Sequence, residues 1–179
     1  PTRRSSDLGN VYVELIRGTP MLLQILFLYI AFPLLMRSIT GERFIPDPYV
    51  CGAIAMSINS GAYSTELIRS GIMGVDKGQW EACEVLGLNY TQTMKLIILP
   101  QAFKRIIPPI VSEFITLIKD SSLISVLGAT ELLYSAQILG ANTFNLIPPL
   151  LASAVLYLIM TLTTSYFARK IERRLSVSD

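Results

Sequence analysis

Four predominantly apolar runs, at 20–36, 49–68, 96–118 and 146–167, each approach the roughly 20 residues that a bilayer's hydrocarbon demands of a helix. A chain built from such runs is expected to fold as an all-α, polytopic membrane helix bundle, since at membrane depth every backbone amide and carbonyl must be satisfied by protein. Composition agrees: 51% of the 179 residues are hydrophobic, and the 16% that are charged fall short of the about 25% usual in soluble domains. The first run is apolar except for Gln24, with Thr19 placed to cap it and Pro20 in its first turn. The third is interrupted by Lys104, Arg105, Pro108 and Pro109, and the fourth opens on Pro148-Pro149. Between these two, 121–139 reads as a short helix packed at the outer surface.

Lysine and arginine set the expected orientation. All but Arg37, Arg43 and Lys119 of the 15 fall on one side of the runs, in the N-terminal segment, in 69–105 and in 169–174. Both ends and the 76–105 loop are therefore expected in the cytoplasm. Lys104, Arg105 and the cluster Arg169, Lys170, Arg173 and Arg174 read as anchors that snorkel toward headgroups. A net charge of +2 gives no reason to expect nucleic acid. The chain has no histidine, which excludes Ser-His-Asp triads and His-x-x-x-His zinc sites. Cys51 and Cys83 lack the spacing of a metal or redox pair.

The polar stretch 76–105 separates two of the runs. Asp76 and Gln79 have the form of a capping box, which predicts a helix from about Lys77. Trp80, Cys83, Gly87 and Tyr90 recur at i, i+3, i+7 and i+10, one face of a helix over 77–91. Gly87 leaves a gap in that face where another backbone can approach or the chain can bend. Pro100 is expected in the first turn of the next helix.

Glu81-Ala82-Cys83, then Gly87, then Ile97-Ile98-Leu99-Pro100 resemble the "EAA" signature of the membrane subunits of ATP-binding cassette importers. All spacings match; Cys83 stands where the pattern has alanine. The resemblance implies a type I importer permease fold over 9–175. It makes Trp80, Glu81, Ala82, Cys83, Gly87, Leu88, Tyr90, Leu99 and Pro100 the coupling element that docks on a cytoplasmic ATPase subunit. Arg17-Gly18-Thr19-Pro20, Asn59–Ile72 as NSGAYSTELIRSGI, and 117–132 as LIKDSSLISVLGATEL resemble the polar amino-acid permeases of that superfamily. Further partners implied are a second permease subunit, identical or paralogous, an extracytoplasmic amino-acid-binding protein, an amino-acid substrate and membrane lipid, in a bacterial inner membrane. The chain has no phosphate loop, so ATP and Mg are expected on the partner ATPase, with no cofactor, metal or catalytic residue here. Residues 1–8 match nothing in the family and read as a leader, 176–179 as a tail, and the first family span is expected to be missing.

Asn59, Tyr63 and Glu66 lie at i, i+4 and i+7 of the second run. Polar groups at that depth face a cavity or a neighbouring helix, so they read as a translocation path or as helix–helix contacts, Glu66 pairing with Arg69 in the latter case. Glu113 follows the proline pair, and with Lys119 would complement the ammonium and carboxylate of an amino acid. Six positions turn an ideal helix by about 240°, so the two do not share a face. The alternative for Lys119 is an interfacial pair with Asp120, with Asp120 capping the next turn.

A secondary transporter or channel would use such carboxylates as ion sites and need no ATPase. A membrane-embedded hydrolase lacks a nucleophile motif here. The topology is testable in intact cells. Reporters fused at Gly78 and after Ser176 should report cytoplasm, and one at Pro46 the outer side; labelling of Gly78 from outside would reverse the orientation.

Overall fold

The computed structural model describes residues 3–176, with side chains from residue 9 through 171 and at 173; residues 1, 2 and 177–179 of the expected leader and tail lie outside it. The described chain is all-helical. Helix α1 (Arg3–Arg17) runs to a short break, after which α2 (Met21–Leu26), a π-helical turn (Phe27–Ala31) and α3 (Phe32–Thr40) form one rod. Then come α4 (Pro48–Met73), α5 (Lys77–Val85), α6 (Tyr90–Thr93), a second π-helical turn (Met94–Ile98) and α7 (Leu99–Asp120). A 3-10 turn (Ser121–Leu127), α8 (Leu132–Asn142) and α9 (Ile147–Ser176) complete it.

Among the described residues, two stretches, Met21–Thr40 and Ile147–Ile171, are long and apolar enough to cross a membrane by themselves. Helices α4 and α7 have the length, 26 and 22 residues, but carry charged side chains. They pack on each other, and α7 also packs on α9, while α1 and α2 lie on α4. The chain's own core is thin. One cluster joins Ile25, Ala55, Ile124 and Ala129; another joins Val75, Ile98, Ala102 and Ile106. Most large apolar side chains of α9 face outward, as a bilayer allows and water does not.

Local chemistry explains the interruptions. Each π turn ends just before a proline, Pro33 or Pro100, at the second position of the following helix. A proline ring crowds the carbonyl four residues back, and a widened turn moves that carbonyl away. Pro100 thus continues a helical path that begins at Tyr90, rather than opening a new one. Pro108 and Pro109 sit inside α7 without ending it. The expected single helix over 121–139 is instead a 3-10 turn closed by left-handed Gly128, followed by α8.

Two clamps hold that corner. The Tyr49 hydroxyl donates to the Thr130 carbonyl (3.1 Å) and accepts from the Thr130 amide (2.8 Å). The Glu131 carboxylate accepts from the amides of Leu133 and Tyr134 at the start of α8 and from the Tyr157 hydroxyl of α9 (2.9 Å). Gly140 is required where α8 meets α9: a Cβ there would lie 2.9 Å from the Leu146 Cα, a backbone atom that cannot swing aside. Gly140→Ala should therefore destabilise the helix pair by about 1–3 kcal/mol, read as a lower thermal midpoint in detergent, while Gly9→Ala, in open space, should leave it unchanged.

Candidate functional site: a polar cavity and a hairpin

The cavity is built from three elements. Arg17, Gly18, Thr19, Pro20 and Met21 come from the break between α1 and α2, Asn59 and Tyr63 from α4, and Glu113, Thr116 and Asp120 from α7. Its volume is about 570 Å³. The break follows from its residues: Pro20 has no amide to continue α1, and a Cβ on Gly18 would stand 2.8 Å from the Glu14 carbonyl oxygen. The Arg17 guanidinium lies over the Tyr63 ring, 4.9 Å from its centre, a cation–π contact that fixes the charge at the cavity wall. Glu113, Thr116 and Asp120 are at i, i+3 and i+7, so α7 presents one polar face.

Of the residues the sequence proposed for a path, Asn59, Tyr63 and Glu113 meet here. Glu66 and Lys119 are not among the lining residues. Glu66 lies one turn beyond Tyr63, and Lys119 is exposed on another face of α7. The cation that lines the cavity together with Glu113 and Asp120 is Arg17; Lys119 acts on its neighbour Asp120 from outside the lining. Asp120, expected to cap the next turn, makes no side-chain cap bond and lines the cavity. Its spacing from Glu113 was visible in the sequence; the approach of Arg17, a hundred residues away, was not.

Thr19 also departs from expectation. Its hydroxyl turns back to the carbonyls of Leu15 (3.0 Å) and Ile16 (3.3 Å), closing α1 rather than capping α2.

The stretch 76–105 forms a hairpin at the far end of α4 and α7. Helix α5 starts at Lys77 as expected, with the Asp76 carboxylate accepting from the Gly78 amide (2.7 Å). The capping box, however, is at Asn89 and Gln92, and the Gln79 side chain instead accepts from Gln101 of α7 (3.0 Å). The helix does not run to 91. It ends at Val85, and Gly87 (φ 70°) reverses the chain, its amide bonding the Glu84 carbonyl and the Leu88 amide the Cys83 carbonyl. This is the glycine stop of a Schellman motif. Gly87 is thus required by its own backbone.

The helical stripe is corrected accordingly. Cys83 is buried and Trp80 packs on the Val75, Ile98, Ala102 and Ile106 cluster, so both face the chain itself. Tyr90 belongs to α6 and is exposed. The outward face carries Glu81 and Ala82 and ends in an apolar tip, Val85 and Leu86, exposed by 88% and 75%. Leu88 and Leu99 are half-buried and Pro100 is exposed. Arg105 does more than anchor: its guanidinium donates to the Gly74 carbonyl, capping the end of α4 and tying it to α7.

Cysteine labelling checks which side of α5 is free. Native Cys51 and Cys83 should resist a maleimide in membranes while Val85→Cys reacts at once; fast labelling of Cys83 would mean that α5 is turned over.

The sequence model of the family described as binding-protein-dependent transport system inner membrane component matches residues 1–177, a range that includes the 1–8 expected above as a non-matching leader. The putative glutamine transport system permease protein of Rickettsia bellii is 44% identical over 95% of this chain and 75% of its own length. The arginine transport system permease protein of Bacillus subtilis is 38% identical, over 96% and 76%. A crystal structure of an amino acid ABC transporter with histidines superposes with a TM-score of 0.87 and 36% identity, covering 97% of this chain and 78% of that one. The MetNI methionine ABC transporter in inward-facing conformations shares the fold, with a TM-score of 0.72 at 18% identity.

Proposed function

From the premise that the chain belongs to the binding-protein-dependent transport system inner membrane components, as a permease subunit of an ABC importer, we propose that its polar cavity is the passage for an amino acid. The observation that carries this reading is the convergence of Arg17, Tyr63, and the α7 pair Glu113 and Asp120 from three elements on one cavity. A zwitterion brings a carboxylate and an ammonium group, and each needs an opposite charge once water is shed. Arg17 would take the carboxylate in a charge-assisted pair, with its guanidinium already oriented by Tyr63. Glu113 and Asp120 outnumber that single cation. A substrate with a cationic side chain, arginine-like, therefore complements the cavity better than a neutral one such as glutamine.

The hairpin is the proposed link to ATP. The Lys and Arg bias supports placing it in the cytoplasm, where a separate ATPase subunit would bind and hydrolyse ATP with Mg. Its exposed tip of Val85 and Leu86, with Glu81 beside it, suits insertion into a groove of that partner. A second permease subunit and an extracytoplasmic binding protein complete the proposed assembly.

Both halves can be tested in proteoliposomes containing the assembled importer. Glu113→Gln should lower arginine uptake about tenfold, the equivalent of one weakened charge contact, and glutamine uptake by less than about twofold. Equal loss of both would remove the charge-selection argument. Leu86→Asp, at an exposed position, should leave the permease folded but abolish copurification of the ATPase. Normal copurification would move the docking surface elsewhere.

A further inference from the structure

We infer that Gln24 is a positioning residue for this passage: its carboxamide shapes the break between α1 and α2 so that Arg17 is presented to the cavity. The inference rests on the reading of the cavity given above. Gln24 is the one polar side chain of α2, whose sequence is MLLQIL. Its Nε2 donates to the carbonyl of Ile16 (2.8 Å), with the Thr19 carbonyl (3.1 Å) and hydroxyl (2.9 Å) also within reach. Its Oε1 accepts from Asn59 Nδ2 on α4 (3.2 Å).

The first bond has a specific cause. In an unbroken helix the Ile16 carbonyl would accept from the amide of residue 20, and residue 20 is proline. The Gln24 side chain supplies the donor that Pro20 lacks. On its other side Gln24 borders an apolar cleft of about 280 Å³, walled by Leu23, Phe27, Leu28, Ala55 and Ile58. Without that donor the Ile16 carbonyl keeps only the longer contacts from the Thr19 amide (3.5 Å) and hydroxyl (3.3 Å).

These contacts close a ring. Arg17 adjoins Ile16 and stacks on Tyr63; Tyr63 lies one turn from Asn59 on α4; Asn59 bonds Gln24; and Gln24 returns to Ile16 and Thr19. The guanidinium is therefore located through its backbone by Gln24 and through its charge by Tyr63. Loss of Gln24 should misplace Arg17 while leaving the carboxyl groups of α7 where they are.

The test separates the two ends of the substrate. Equilibrium dialysis of the purified permease–ATPase complex, without binding protein, is run with tritiated arginine and with agmatine, which is arginine lacking the carboxylate. Gln24→Met, similar in size but without donors, should weaken arginine by about tenfold or more and agmatine by less than about twofold. Gln24→Leu, which is uncharged and lacks both donor and acceptor, should behave likewise. Arg17→Met should show the same arginine loss, and adding Gln24→Met to it should cost nothing further. Parallel loss of arginine and agmatine in both Gln24 variants, or additive loss in the double variant, overturns the positioning role. Parental arginine binding retained by Gln24→Met also overturns it, and leaves the cavity reading intact. A parent complex that binds neither ligand overturns the cavity reading and this inference together.

Discussion

A helix interrupted inside hydrocarbon frees backbone groups that only protein, or a water-lined space, can satisfy. This chain interrupts its helices repeatedly, and each interruption is answered locally. Gln24 bonds the carbonyls at the end of α1, Arg105 bonds the last carbonyl past α4, and Glu131 takes the first free amides of α8. The break at Gly18-Thr19-Pro20 also opens a polar space and forms a wall of the cavity. Regular spans would give a tighter bundle; the broken one gives a place where a charged solute can leave water without losing all its partners.

The cavity and the hairpin are joined by the same two helices. Helix α4 carries Asn59 and Tyr63 near its middle and ends at the Gly74 carbonyl held by Arg105. Helix α7 starts beside the Val75 and Ile98 cluster and presents Glu113 and Asp120 farther along. From Asn59 to Gly74 is a rise of about 22 Å, long enough for a small tilt at the hairpin to move the cavity wall. Under the proposed function, ATP-driven motion of the docked hairpin would travel as rigid-body movement of this packed pair. Trp80 and Cys83 suit that role better as inward-facing residues, because Trp80 packs on the Val75, Ile98, Ala102 and Ile106 cluster and Cys83 is buried.

The parts of this design that were legible in sequence are those set by short-range rules. Run lengths revealed the membrane class, and the spaced pattern from Glu81 to Pro100 revealed the family. The start of α5 was visible in Asp76. Periodicity failed where a helix stopped early: Trp80, Cys83, Gly87 and Tyr90 keep helical spacing, but a glycine in the left-handed region ends the helix before the stripe is complete. Gly87 followed by apolar Leu88 was itself a stop signal, and it competed with the period. The i, i+3, i+7 set of Glu113, Thr116 and Asp120 was equally readable. The role of Gln24 was not, because it depends on Pro20 removing one donor and on Asn59 arriving from another helix.

The central claim is that the space between Arg17 and the two carboxyl groups of α7 holds the amino acid in transit. A structure of the assembled importer at saturating arginine tests it most directly. The account predicts density in this cavity, with the carboxylate at Arg17 and the guanidinium within hydrogen-bond reach of Glu113 or Asp120. Arginine ordered elsewhere in the complex while this cavity stays empty would contradict it.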